Sequence, residues 1–443
     1  MSQRTQTLRS RDAGAQLQEV LRRNRQSGKG GVYAVCSAHP HVIDAAIQQS
    51  IEDGSVLHVE STSSQVNQFG GYTGQTPRKF ADALRSTAQL AGLKPENILL
   101  GGDHLGPYPW RQEASSAALE KASVLVRDCV LAGYVKIHLD ASMACADDGD
   151  AGPSEETVAN RAALLCQVAE KALHELPSGS AKLVYVIGTE VPAPGGESLK
   201  AQAPVATAAE HVHQTLEIFR RAFAKRDLSS AWERVIALVV QPGVDFEADT
   251  IFDYDRVRAA SLTAALSAHP AVVYEAHSTD YQSPDSLRQM VEDHFAILKV
   301  GPWLTFAFRE ALFSLASIER ELLDRRPGHR LSQVREALEE AMLLNPASWK
   351  SYYHGDEKEV HRSLTYGYSD RCRYYWNDPS VQREVARLFD NLESLRIPHT
   401  VVSQFLPLEY EAIRDGRLQS TPEQLIRHHV RHVLRVYSRA CAA

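Results

Sequence analysis

Eight short runs of β-favouring apolar residues recur from about residue 32 onward, each followed by a longer segment of helical character. They are VYAVCS (32–37), SVLHVES (55–61), NILLGGDH (97–104), YVKIHLD (134–140), KLVYVIGTE (182–190), VIALVVQPG (235–243), AVVYEAH (271–277) and FAILKVG (295–301). Most are apolar without a break, the pattern of strands buried on both faces. Between them lie helical patterns such as VIDAAIQQSIED and EETVANRAALLCQVAEKALHEL, and Gly or Ala-Gly often follows where a helix C-cap belongs. Strand, helix and parallel strand repeated eight times predict an α/β fold, the (β/α)8 TIM barrel. A doubly wound sheet is the competing fold. The lack of a Gly-rich phosphate loop after the first strand favours the barrel.

After about residue 330 the strand signals stop. LSQVREALEEAMLLN, VQREVARLFDNLESL and PEQLIRHHVRHVLRVYSRA read as helices. The expected organisation is a barrel with an N-terminal helix over 1–330 and a helical C-terminal region over 331–443. With 443 residues, 44% of them hydrophobic, the chain can bury a core of that size. The net charge of -7 is spread in mixed signs with no long basic run, which argues against a nucleic-acid partner. The six cysteines form no CxxC pair and match no zinc module or disulfide framework. The N-terminal MSQRTQTLRSRDAG lacks the apolar core of a signal peptide, and no apolar run reaches membrane-spanning length. A soluble cytoplasmic protein with reduced thiols, away from membranes, is expected.

In a parallel barrel the working residues sit at the C-terminal ends of the strands, and here those ends are polar. Strand two ends at Glu60, strand three at Asp103-His104 and strand four at Asp140; strand five ends at Glu190, strand six at Gln241 and strand seven at His277, while strand eight carries Lys299. Successive strand side chains alternate in direction. Lys136, His138 and Asp140 therefore share a face, as do Glu275 and His277. Asp103 and His104 can share one only if the strand has ended, and the preceding Gly101-Gly102 permits a bend or a close approach.

His104, Glu190 and His277 come from strands three, five and seven. They make a two-histidine, one-carboxylate metal set with an open position for substrate; the alternative is hydrogen-bonded rim histidines without metal. Asp103, Asp140 and Glu60 are the candidate proton-transfer carboxylates, with Asp140 equally suited to orienting a histidine. Lys299 suits pairing with a rim carboxylate, or phosphate binding beside Gly301, better than Schiff-base chemistry. Ser278 and Thr279 offer hydroxyls near it, and Gln241 is a further candidate substrate contact. Two loops, STSSQVNQFGGYTG (61–74) and VPAPGGE (191–197), suit either polyol contact or plain solvation. Arg371 and Arg373, in YGYSDRCRYYW, suit bidentate oxyanion binding or a surface ion pair. His428 and His432, four apart on a helix, could bind metal on one face, but they lie far from the barrel set and are expected to be exposed.

Taken together, GGDHLGPYPW, VKIHLDAS, GTEVPAPGG, EAHSTDYQ, LKVGPWLTFAFREALF and YSDRCRYYW resemble the GatZ/KbaZ family over nearly the whole chain. Its members have been described as the non-catalytic subunit of class II tagatose-bisphosphate aldolase, as tagatose 6-phosphate kinases, and as D-tagatose 6-phosphate 4-epimerases of hexitol and galactitol catabolism. The resemblance implies a class II aldolase-like barrel. It also implies a divalent metal ion, with Zn, Mn, Co, Ni and Mg all open, and a phosphorylated ketohexose substrate. A separate aldolase subunit is a candidate partner, and homo-oligomerisation stays open. The Asp-His pair resembles the aldolase motif in which Asp moves a proton and the next His binds metal, which maps onto Asp103 and His104. A later aldolase histidine maps onto His277, but Ser278 and Thr279 stand where the aldolases carry a glycine-rich phosphate loop. A kinase lacks support: no GxxxxGK[ST] loop is present, and Gly28-Lys29-Gly30-Gly31 precedes a strand. The expected activity is 4-epimerisation by metal-assisted retro-aldol cleavage; the alternatives are an aldolase-stabilising subunit or a stand-alone aldolase.

Overall fold

The computed structural model of the chain describes residues 13–177, 182–190, 204–324, 326–393 and 395–442. Eight parallel strands close into a barrel. In chain order they are β1 (Val32–Val35), β2 (Leu57–Thr62), β3 (Ile98–Leu105), β4 (Lys136–Leu139), β5 (Val184–Ile187), β6 (Val235–Val240), β7 (Val273–Ala276) and β8 (Ile297–Val300). Each neighbours the next, and β1 closes the ring against β8 in the register Val32↔Ile297 to Val35↔Val300. Each apolar run of the sequence thus supplies one strand. The run from Val235 ends with its apolar residues at Val240, and a small antiparallel ribbon, Asp245–Phe246 with Ile251–Phe252, follows it.

Strand parity sorts the core into two parts. Leu99, Val184, Val186, Val239, Val273 and Ile297 face inward, where Ala13, Leu17 and Leu21 of the N-terminal helix Ala13–Ser27 pack against them. That helix plugs the end of the barrel where the strands begin. Residues one step along, such as Leu100, Ile137, Tyr185, Leu238, Tyr274 and Leu298, pack outward against the surrounding helices. The barrel is therefore filled rather than hollow, and its other end is left for polar groups.

Beyond residue 330 the chain is helical. The last helix, Pro422–Ala442, returns to lie against helices Pro40–Asp53 and Pro302–Leu323. Its Tyr437 hydroxyl donates to the Thr279 carbonyl at 2.7 Å, and the Cys441 carbonyl accepts from Gly31 N–H at 2.9 Å. One continuous apolar cluster runs from Val35 to Cys441, so the helical region packs onto the barrel as one core. No helix among the described residues is long and apolar enough to cross a membrane, and the six cysteines are unbonded to one another.

Candidate active site

The end of β3 places the adjacent Asp103 and His104. β3 follows β2 in regular register through Thr62↔Asp103, but its pairing with β4 shifts between Gly102 and Leu105. At that irregularity His104 takes a left-handed backbone, φ 47°, which costs a non-glycine residue about 1–3 kcal/mol. The break in alternation lets Asp103 and His104 wall one cleft. The flanking glycines make the room: a Cβ on Gly101 would lie 2.9 Å from Glu60 Cγ, and one on Gly106 only 1.5 Å from the Asp140 carbonyl oxygen.

Three imidazoles gather there, His104, His138 and His277, with ring centroids 5.0–5.3 Å apart. Each has its own carboxylate. His104 Nδ1 lies 2.7 Å from Asp140 Oδ2, His138 Nδ1 lies 2.9 Å from Asp103 Oδ1, and His277 Nε2 lies 3.0 Å from Glu275 Oε1. An ionised carboxylate only accepts, so the ring nitrogen facing it donates, and on a neutral ring the opposite nitrogen keeps its lone pair. That opposite nitrogen on His138, Nε2, is buried with no partner. Imidazoles fixed by carboxylates with lone pairs to spare are the donor set of a divalent metal. Ligand atoms of Asp103, His138, Glu275 and His277 also come within 4.8 Å of one another.

The charges support this arrangement. Burial pushes His277 down to about 4, so it is neutral at pH 7. Burial opposes ionisation of Asp140, but His104 and Ser142 outweigh it and hold the carboxyl below the usual range. His104 is raised: burial works against its charge, and Asp103 and Asp140 overcome it. Asp103 lies well below the ordinary carboxylate value, burial being outweighed by His104, Lys299, His138 and His277.

A layer of buried ion pairs adjoins these groups. Lys136 Nζ lies 2.6 Å from both Glu60 Oε1 and Glu275 Oε2. Lys299 bonds Glu60 and lies 3.0 Å from Asp103 Oδ1 and 3.7 Å from Glu275 Oε1. Burial favours the neutral amine of Lys299, but the facing acids win and raise it well above the ordinary lysine value. It is an ammonium, the wrong state for a Schiff-base nucleophile. Glu60 is fully buried, with its Oε1 2.7 Å from His58 Nε2. It stands as a counter-ion beneath the cleft rather than on its wall.

Ser278, Lys299 and Gly301 wall the cleft with Asp103, His104 and His277. Thr279 does not; its hydroxyl donates to the Lys299 carbonyl at 2.7 Å. Gln241 Oε1 accepts from Gly243 and Val244 N–H, 2.8 and 3.0 Å, fixing the turn after β6. Glu190 is not brought to the imidazoles: its carboxylate accepts from the Thr207 hydroxyl and lies 3.2 Å from His211 Nδ1. Arg371 donates to the Ser348 carbonyl at 2.6 Å and stacks 3.6 Å above the Tyr352 ring, while Arg373, two residues on, reaches the cleft. The loop 191–197 lies outside the described residues. His428, expected at the surface, is buried with Nδ1 3.0 Å from Glu409 Oε1.

Three cleft groups were not singled out by sequence reasoning. His138 shared its face with Lys136 and Asp140, and that parity was its signal. Tyr374 lines the cleft with its hydroxyl 3.1 Å from Arg373 Nη2. Asp280 accepts from Gly301 and Trp303 N–H at 2.9 and 2.8 Å, yet burial outweighs those bonds and pushes its carboxyl up to about 6, close to the range suited to general acid–base work.

A family model described as D-tagatose-1,6-bisphosphate aldolase subunit GatZ/KbaZ-like matches residues 17–442. Among solved structures, a "probable tagatose 6 phosphate kinase" from Sinorhizobium meliloti 1021 is 40% identical, with TM-score 0.84, covering 93% of this chain and 100% of that one. A fructose-bisphosphate aldolase from Campylobacter jejuni aligns at 13% identity and TM-score 0.44, over 87% of this chain and 96% of that one. The YdjI aldolase from Escherichia coli K12 aligns at 10% and 0.41, over 87% and 99%. With a closed eight-stranded barrel and a family match across nearly its whole length, the chain belongs to the GatZ/KbaZ-like family.

Proposed function

We propose that the chain is a D-tagatose 6-phosphate 4-epimerase, interconverting tagatose 6-phosphate and fructose 6-phosphate. The observation that carries this reading is the triad of imidazoles, each held by a carboxylate, walling or underlying the same cleft as Asp103, Asp280 and Lys299. The orphaned Nε2 of His138 fits a divalent metal there, with His104, His138 and His277 as its holders. When bound, such an ion supplies Lewis-acid polarisation of the ketose carbonyl and a template for its neighbouring hydroxyl.

The C4–H of a 2-ketose is β to the carbonyl and not acidic, so inversion at C4 needs a route other than deprotonation. Asp103, ionised and ringed by donors, takes the proton of the C4 hydroxyl. The C3–C4 bond then breaks; its electrons pass to the C2 carbonyl, leaving an enediolate of dihydroxyacetone and the aldehyde of glyceraldehyde 3-phosphate. The Lys299 ammonium contributes positive charge beside the growing negative charge. The aldehyde presents its other face, the bond re-forms, and the new C4 oxygen takes a proton. Asp280, whose carboxylate rests on the Gly301 and Trp303 amides, walls the same cleft as Asp103 and supplies a second carboxyl. Asp140 keeps His104 in its tautomer.

Turnover in D2O tests the mechanism. Retro-aldol inversion never breaks C4–H, so the product carries no deuterium at C4, and Asp103→Asn loses turnover by about a hundredfold or more. Deuterium at C4, or a fully active Asp103→Asn, would overturn it. The family description favours a second reading, a subunit that stabilises a class II tagatose-bisphosphate aldolase. In that case a co-expressed aldolase gains stability and this chain alone turns over nothing.

A further inference from the structure

The cleft has a second lobe. It shares Tyr72 and Arg373 with the first and extends toward the start of helix Pro40–Asp53, where His39, Gln75, Trp376 and Asn377 join its walls. Among the described residues no aspartate or glutamate lines it, whereas Asp103 and Asp280 line the first. Trp376 is 2% exposed, and its indole N–H has no partner among the described residues. A buried Trp N–H ordinarily finds an acceptor. The Nδ1 of His39 is likewise buried without a partner.

The helix starts at this lobe add a second argument. The first turn of helix Pro40–Asp53 receives no side-chain cap from His39, so its positive end is uncompensated by any side chain. At helix Pro302–Leu323 the corresponding amides of Gly301 and Trp303 are already bound to Asp280. An anion placed there, in the usual barrel phosphate position after strands seven and eight, would meet a carboxylate. Thr279 adds nothing to change this, since its hydroxyl is spent on the Lys299 carbonyl.

We infer that this second lobe seats the phosphoryl group of the sugar substrate, with the Arg373 guanidinium, the Trp376 indole N–H and the uncapped start of helix Pro40–Asp53 as its donors. The sugar chain then runs past Tyr72 and Arg373 into the imidazole lobe. This deepens the proposed epimerase reading by giving the phosphate an address on the β1 side of the barrel, with Arg373 and Trp376 supplied by the helical region beyond residue 330.

The test uses inorganic phosphate as probe on the full chain. With tryptophans labelled by 15N, the Trp376 indole resonance, identified by its absence from Trp376→Phe, moves downfield as phosphate is added. Calorimetry gives about tenfold weaker phosphate binding for Trp376→Phe and a larger loss for Arg373→Met. Gln75→Leu serves as a second variant on the opposite wall and also weakens phosphate. An unmoved indole resonance, or phosphate bound as tightly by Trp376→Phe and Arg373→Met as by the wild type, overturns the inference. Phosphate bound in the lobe without turnover of tagatose 6-phosphate upholds the inference and sinks the epimerase. Turnover with phosphate binding insensitive to these variants does the reverse.

Discussion

The Nδ1 of His104 lies 2.7 Å from Oδ2 of Asp140, whose other oxygen accepts from the Ser142 amide at 3.0 Å and its hydroxyl at 2.6 Å. Asp140 is thus anchored on one side and orients the imidazole on the other. Asp140→Asn weakens that hold and lowers the basicity of His104. Divalent metal binding, followed by calorimetry, is expected to fall about 10–100-fold, the usual cost of losing such a partner. Wild-type affinity in the variant would separate Asp140 from metal binding.

Lys299 sits among Glu60, Asp103 and Glu275 and is 4% exposed. Replacing it with methionine keeps the volume and removes the counter-charge. Breaking a buried pair in this way costs about 3–5 kcal/mol, read as a lower midpoint in urea unfolding. A Lys299→Met protein as stable as the wild type would show that Lys136 alone balances the three acids.

Asp280 gives a pH dependence of definite sign. Its carboxyl stands at about 6 in the folded chain against an ordinary 3.8, so the folded state holds the proton more tightly than the unfolded one. The resulting stabilisation is complete below pH about 4 and is lost as pH rises through about 6. A difference of that size between folded and unfolded chain corresponds to roughly 3 kcal/mol. Asp280→Asn keeps an acceptor for Gly301 and Trp303 and carries no charge. It is expected to be more stable than the wild type at pH 8, with the difference closing by pH 4, and to lose activity. Parallel stability curves for the two proteins would contradict this.

The barrel was legible because each apolar run is buried on both faces, and parity then separates Leu99 or Val184 inside from Leu100 or Tyr185 outside. Asp103 and His104 were legible as polar groups after Gly101-Gly102, although the strand runs on through an irregularity to Leu105 rather than ending there. What parity could not supply was the direction of the chain once a strand stops. Glu190 turns to Thr207, just before helix Ala209–Ala224, and to His211 within it, and no spacing rule reports that. Arg371 and Arg373 flank one residue of a 3-10 turn, Arg371–Tyr374, where neither a period of two nor of 3.6 decides which faces the cleft. Glu60 reads as a rim acid until Lys136 and Lys299 are seen to claim it from two other strands. His428 was expected at the surface, far from the barrel set, but it is buried against Glu409 from another helix.

The most direct measurement is NMR of the purified chain incubated with D-tagatose 6-phosphate, with and without each of Zn, Mn, Co, Ni and Mg. The account predicts that fructose 6-phosphate forms with a divalent ion present and that chelation abolishes it. Failure to form fructose 6-phosphate with any of these ions would contradict the epimerase and leave the aldolase-stabilising subunit as the role to pursue.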